Sequence, residues 1–112
     1  MEEVKTLVLT EAESSSNDSL PNVFMLARHN RRGELEQLFK KGVDPDSIDR
    51  YGNSLFLIAC QNNHKETAKL CLRYGGDIHW KNNKGWGAIG ICKMFKYELL
   101  AEYLKTKGAL DT

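Results

Sequence analysis

Residues 49–81 read D-R-Y-G-N-S-L-F-L-I-A-C-Q-N-N-H-K-E-T-A-K-L-C-L-R-Y-G-G-D-I-H-W-K, and this stretch decides the fold. Asp49 to Gly52 has turn composition, and Gly52 can end the turn with a positive φ. Ser54 is placed to cap a short apolar helix, Leu55 to Gln61, by accepting from its first free amides. Asn62-Asn63 ends that helix, because Asn tolerates the left-handed conformation. A second helix is expected over Lys65 to Tyr74, with Ala68, Cys71 and Leu72 at helical spacing. Gly75-Gly76 stops it, and the chain returns through Asp77-Ile78.

The order of turn, short helix, turn, longer helix, Gly and return resembles an ankyrin repeat. Asp49, Gly52, Ala59, Asn63-His64, Glu66, Leu70 to Leu72, Gly75 and Asp77-Ile78 carry the likeness. Where the family usually has T-P-L-H, this chain has Ser54-Leu55-Phe56-Leu57, which keeps a capping hydroxyl and drops the Pro and the His. The neighbours repeat the pattern at a period of 33: Gly42, Gly75 and Gly108 align, and Gly52 recurs as Gly85. Five apolar columns share that period. They are Val23/Phe56/Ile89, Met25/Ile58/Ile91, Leu26/Ala59/Cys92, Leu35/Ala68/Ala101 and Leu38/Cys71/Leu104. Asp44 and Asp77 align as well, within a repeat end Gly42-Val43-Asp44-Pro45-Asp46. The resemblance implies an all-α solenoid of three stacked helix-turn-helix units with hairpin loops, at about 20–48, 49–81 and 82–112.

Working outward, the first unit offers Pro21 for the first turn of a helix through Val23 to Ala27. Its second helix has two possible registers. Gapless alignment puts Gly33 inside the helix opposite Glu66, whereas Gly33-Glu34-Leu35-Glu36 itself resembles the inter-helix turn. The third unit is the least typical. Gly87-Ala88-Ile89-Gly90 replaces the capped helix start, and a second helix over Tyr97 to Lys107 alternates apolar residues with charge, as suits a terminal unit.

Residues 1–19 differ in kind. They are polar, acidic and Ser-rich, a composition that favours disorder, with Ser15 three residues before Asp18 in the manner of an acidic-type kinase site. Residues 1–20 hold five acids and one lysine, net −4, while the rest holds ten acids and fifteen Lys or Arg, net +5. The leader is expected either to fold back on the basic body or to act as a solvating tail. Overall, 41% hydrophobic and 28% charged residues are ordinary for a globular domain. No run approaches the ~20 apolar residues of a membrane span, and no signal peptide is read. An intracellular, monomeric protein is expected, and Cys60, Cys71 and Cys92 at core helix positions agree with it.

Catalytic signals are weak. His29, His64, His79 and the cysteines have no metal-ligand spacing, so neither a metal nor a cofactor is expected. His64 sits where the family's turn often has His, and a Cys/His nucleophile would require an exposed, electropositive cysteine. Gly85-Trp86-Gly87 is a turn, not a phosphate cradle. The resemblance implies a non-catalytic protein-interaction module that binds a protein partner through hairpin tips and first helices. Carried onto this chain, the candidate face takes Arg28 and His29 from the first unit and Arg50, Tyr51, Asn53, Gln61 and Asn62 from the second. Trp80, Asn83, Lys84, Trp86, Met94 and Phe95 complete it from the hairpin before the third unit and the helix behind. Tyr51, Trp80 and Trp86 either anchor a partner or brace adjacent hairpins. The preferred mechanism has Tyr51 and Trp86 anchor while Arg50 and Lys84 steer. A second reading is an electrostatic binder of nucleic acid or anionic surfaces, using Arg28, Arg31, Arg32, Lys40, Lys41, Lys81 and Lys84.

Overall fold

Asn22 opens the described chain and caps the first helix, its side-chain oxygen accepting from the amides of Phe24 and Met25. The computed structural model describes residues 22–110; Pro21, the acidic leader and its serines lie outside them. Six helices follow among the described residues: α1 Val23–Arg28, α2 Arg32–Lys40, α3 Leu55–Gln61, α4 Lys65–Arg73, α5 Ala88–Phe95 and α6 Glu98–Thr106. The second helices start at Arg32, Lys65 and Glu98 and run nine residues each, so the 33-residue period is kept without a gap. Gly33 therefore lies inside α2, which settles the register of the first unit in favour of the apolar columns. Expected helix ends at Tyr74, and at Tyr97 and Lys107, shrink by one residue each: Tyr74 and Lys107 cap C-termini and Tyr97 caps the start of α6.

Each helix end repeats a device. Asn30, Asn63 and Lys96 take φ near +60° after the first helices (60°, 58° and 62°). The next amide then reaches back to an orphan carbonyl: Arg31 to Leu26 at 2.8 Å, His64 to Ala59 at 2.9 Å and Tyr97 to Cys92 at 2.8 Å. After the second helices Gly42, Gly75 and Gly108 do the same work, with Val43, Gly76 and Ala109 donating to Leu38, Cys71 and Leu104. Ser54 caps α3 as its position suggests, accepting from the amide of Leu57 at 3.2 Å. Among the described residues no strand is formed, and one isolated antiparallel bridge joins Ile48 to Ser54.

The helix pairs stack in two layers. α1, α3 and α5 lie side by side as an inner row, and α2 packs beside α4 behind it. Nearly all of α3 is buried, because it is covered on both sides by the neighbouring units. Polar bonds tie each unit to the one before. His64 Nε2 donates to the Arg28 carbonyl and the Tyr97 hydroxyl to the Gln61 carbonyl, both at 2.9 Å. Tyr97 thus does in the third unit what His64 does in the second, and His64 is a structural residue. Tyr74 donates to Glu36 at 2.8 Å, and Lys65 and Lys69 of α4 hold their ammoniums 5.0 and 5.5 Å from the Tyr103 ring of α6.

The apolar columns are buried except toward the ends of the stack. Leu38 is only half-buried and Met25 is 42% exposed, because neither is covered on both sides as its α3 and α4 counterparts are. Leu99, at the start of α6, is 80% exposed instead of sharing the apolar face of Leu100 and Leu104.

Candidate interaction groove

Two hairpin tips build one wall of a groove. Asp49 Oδ1 accepts from the amides of Tyr51 and Asn53 at 2.9 Å, which closes the first tip. One period later Asn82 Oδ1 accepts from Lys84 and Trp86 at 3.0 Å and closes the second. The tips are then joined: Asn83 donates its amide to the Tyr51 carbonyl at 3.0 Å, and its Nδ2 to the Arg50 carbonyl at 3.3 Å. Behind them the ends of α3 and α5 supply the floor, and Arg28 closes it from α1. The open groove has a volume of about 670 Å³.

Ten of the thirteen expected face residues line this groove: Arg28, Tyr51, Asn53, Gln61, Asn62, Asn83, Lys84, Trp86, Met94 and Phe95. They are not equivalent. Tyr51 is 60% exposed, and Met94 and Phe95 are about half exposed, at 48% and 47%. Trp86 is half-buried, packs on the core and lies over Gly90, where an added Cβ would sit 3.9 Å from its ring. Phe95 stacks on Tyr97 with ring centroids 5.6 Å apart, and the Tyr97 hydroxyl is itself held by the Gln61 carbonyl. Asn53 is buried and committed: its Oδ1 accepts from Gln61 Nε2 at 3.1 Å and Asn82 Nδ2 at 2.8 Å. It organises the floor rather than offering a contact.

Three expected residues lie elsewhere. His29 is the exposed C-cap of α1 and does not line the groove. Arg50 is exposed on the tip with its guanidinium 5.9 Å from the Tyr51 ring, outside the groove wall. Trp80 is half-buried against the core and donates its Nε1–H to the Gly52 carbonyl at 2.7 Å, so it braces one hairpin against the other. Sequence reasoning missed Asn82 and Ile91. The 33-residue step from Asp49 marks Asn82 as a tip-closing residue, and Ile91 belongs to an apolar column.

The seven basic residues of the electrostatic reading do not form one patch. Arg28 and Lys84 line the groove, Arg31 pairs with Glu34, Arg32, Lys40 and Lys41 belong to α2 and its C-cap, and Lys81 borders a different hollow. The three thiols are buried and unpaired with one another. Burial pushes all of them up from an ordinary value near 9.0, Cys92 to about 11, so each is a protonated thiol at neutral pH. Among the described residues no three His, Cys, Asp or Glu side chains gather as a metal site, and no helix is long and apolar enough to cross a membrane.

A family model for ankyrin repeats matches residues 23–111 as three copies. The chain belongs to the ankyrin-repeat family. Among curated proteins, this ankyrin-repeat chain is similar to protein phosphatase 1 regulatory subunit 27 of Mus musculus. The two are 32% identical over 93 residues, which is 80% of this chain and 60% of that protein. The Homo sapiens protein of the same name is 31% identical over the same shares. The chain thus spans about 60% of the length of these curated relatives. Ankyrin repeats and relatives named as regulatory subunits support a protein-interaction or regulatory role.

Proposed function

We propose that this chain is a non-catalytic interaction module that binds a protein partner in the groove formed by its hairpin tips and first helices. The carrying observation is the convergence of Tyr51, Trp86, Met94 and Phe95, from two units, around one preformed hollow. Large, partly exposed side chains on rigid elements bind with little ordering cost. The relatives are named as regulatory subunits of protein phosphatase 1, which makes that enzyme the first partner to try. We place the protein inside the cell as a monomer; light scattering at micromolar concentration checks the second point.

The test is capture of a partner by the wild-type chain and by a Tyr51→Ala/Trp86→Ala double variant, with circular dichroism as a fold control. Loss of a partner on the double variant supports the reading; equal capture by both moves the site elsewhere. The electrostatic reading makes the opposite prediction. Captured material would then be removed by nuclease, and binding would fall steeply with salt.

A further inference from the structure

Charge on this stack is sorted by layer. The inner layer consists of the first helices with their turns and hairpin tips, residues 22–31, 47–64 and 80–97. It holds two, one and four Lys or Arg respectively, seven in all, and one acid, Asp49. The other residues from 21 onward hold eight Lys or Arg against nine acids. The body's net positive charge therefore resides on the inner layer. Asp49 is 5% exposed and its carboxylate is committed to the hairpin tip. Arg31 is neutralised by Glu34 of α2; Arg28 and Lys84 line the groove itself, from the first and third units.

We propose that the groove takes an acidic peptide segment of a partner protein, with one or two large apolar side chains seated against Trp86, Met94 and Phe95. Its carboxylates face Arg28 and Lys84. This deepens the reading given above and rests on it. A basic segment would meet like charge at Arg28 and Lys84, whereas an acidic one gains in encounter rate and in register. The same charge would attract a nucleic acid, but the ring faces argue against one. Base stacking needs open aromatic faces. Trp86 is half-buried beside Gly90, one face of Phe95 is taken by Tyr97, and the Arg50 guanidinium sits 5.9 Å from the Tyr51 ring, so little ring face is left free for bases.

The experiment is fluorescence anisotropy with the full chain and three labelled probes. These are a synthetic peptide of glutamates flanking leucine and phenylalanine, the same peptide with lysines for glutamates, and an oligouridylate. The acidic peptide is expected to bind and the other two to bind at least about tenfold more weakly, the loss that one strong contact represents. Trp86→Ala and the Arg28→Glu/Lys84→Glu pair should each weaken the acidic peptide about tenfold. Lys40→Glu/Lys41→Glu makes the same charge change on the outer layer and should leave binding within about twofold. If circular dichroism shows the Arg28→Glu protein unfolded, Lys84→Glu alone carries the comparison. Absence of acidic-peptide binding, tighter binding of the oligouridylate, or an equal loss from the Lys40/Lys41 pair overturns the inference. The groove reading fails separately, when partner capture is indifferent to Tyr51→Ala/Trp86→Ala.

Discussion

Gly52 and Gly85 occupy the same place in successive hairpins and have the same backbone, φ +78° and +80°, yet their replacement by alanine should not cost the same. A Cβ in the left-handed region costs about 1–2 kcal/mol, and both variants incur it. At Gly85 nothing lies within 4 Å of the added atom, so the total stays near that figure. At Gly52 the Cβ runs into the side-chain amide of Asn83 and comes within 3.0 Å of its backbone nitrogen. Asn83 must shift, which weakens its two bonds to the Tyr51 and Arg50 carbonyls. Such bonds contribute about 0.5–1.5 kcal/mol each, toward the low end for an exposed residue. Gly52→Ala should therefore cost about 2–4 kcal/mol against about 1–2 for Gly85→Ala. For a domain of this size the difference is roughly 5–15 °C in Tm. Urea titration followed by circular dichroism measures both. Equal losses, or a larger loss at Gly85, would refute the claim that the hairpins are stacked through Asn83.

Other expectations concern the core and the thiols. Gly90→Ala should stabilise α5 by about 0.5–1 kcal/mol, because the new methyl meets the Trp86 ring at ordinary contact distance; a lower melting temperature would contradict it. Leu35→Ala should cost about 2–5 kcal/mol as a fully buried truncation, and Leu38→Ala about 1–2, which urea midpoints will rank. Tyr97→Phe removes the hydroxyl bond to the Gln61 carbonyl and should cost about 0.5–1.5 kcal/mol by the same assay. Ellman's reagent should find no reactive thiol in the native protein at pH 8 and three after unfolding. The folded thiols titrate above their unfolded value near 9.0. Their contribution is thus complete below pH 9 and is lost as pH rises through the folded values, about 11 for Cys92.

What the sequence by itself determined is everything carried by local chemistry repeated at a fixed step. Glycines at 42, 75 and 108 end second helices because each position needs a positive φ, and the apolar columns mark the core because a helix buries one stripe. Most of the groove followed, since hairpin tips and first-helix ends are set by that same period. The roles of its aromatics did not. Trp80 and Trp86 stand six residues apart in one hairpin, and only the Gly52 carbonyl, 28 residues from Trp80, makes one a brace while the other faces the groove. The one-sided charge did not follow either. Its residues are plain in the sequence, but they are gathered in one layer only when stacking assigns each helix to its row, and that assignment is a property of contacts between units.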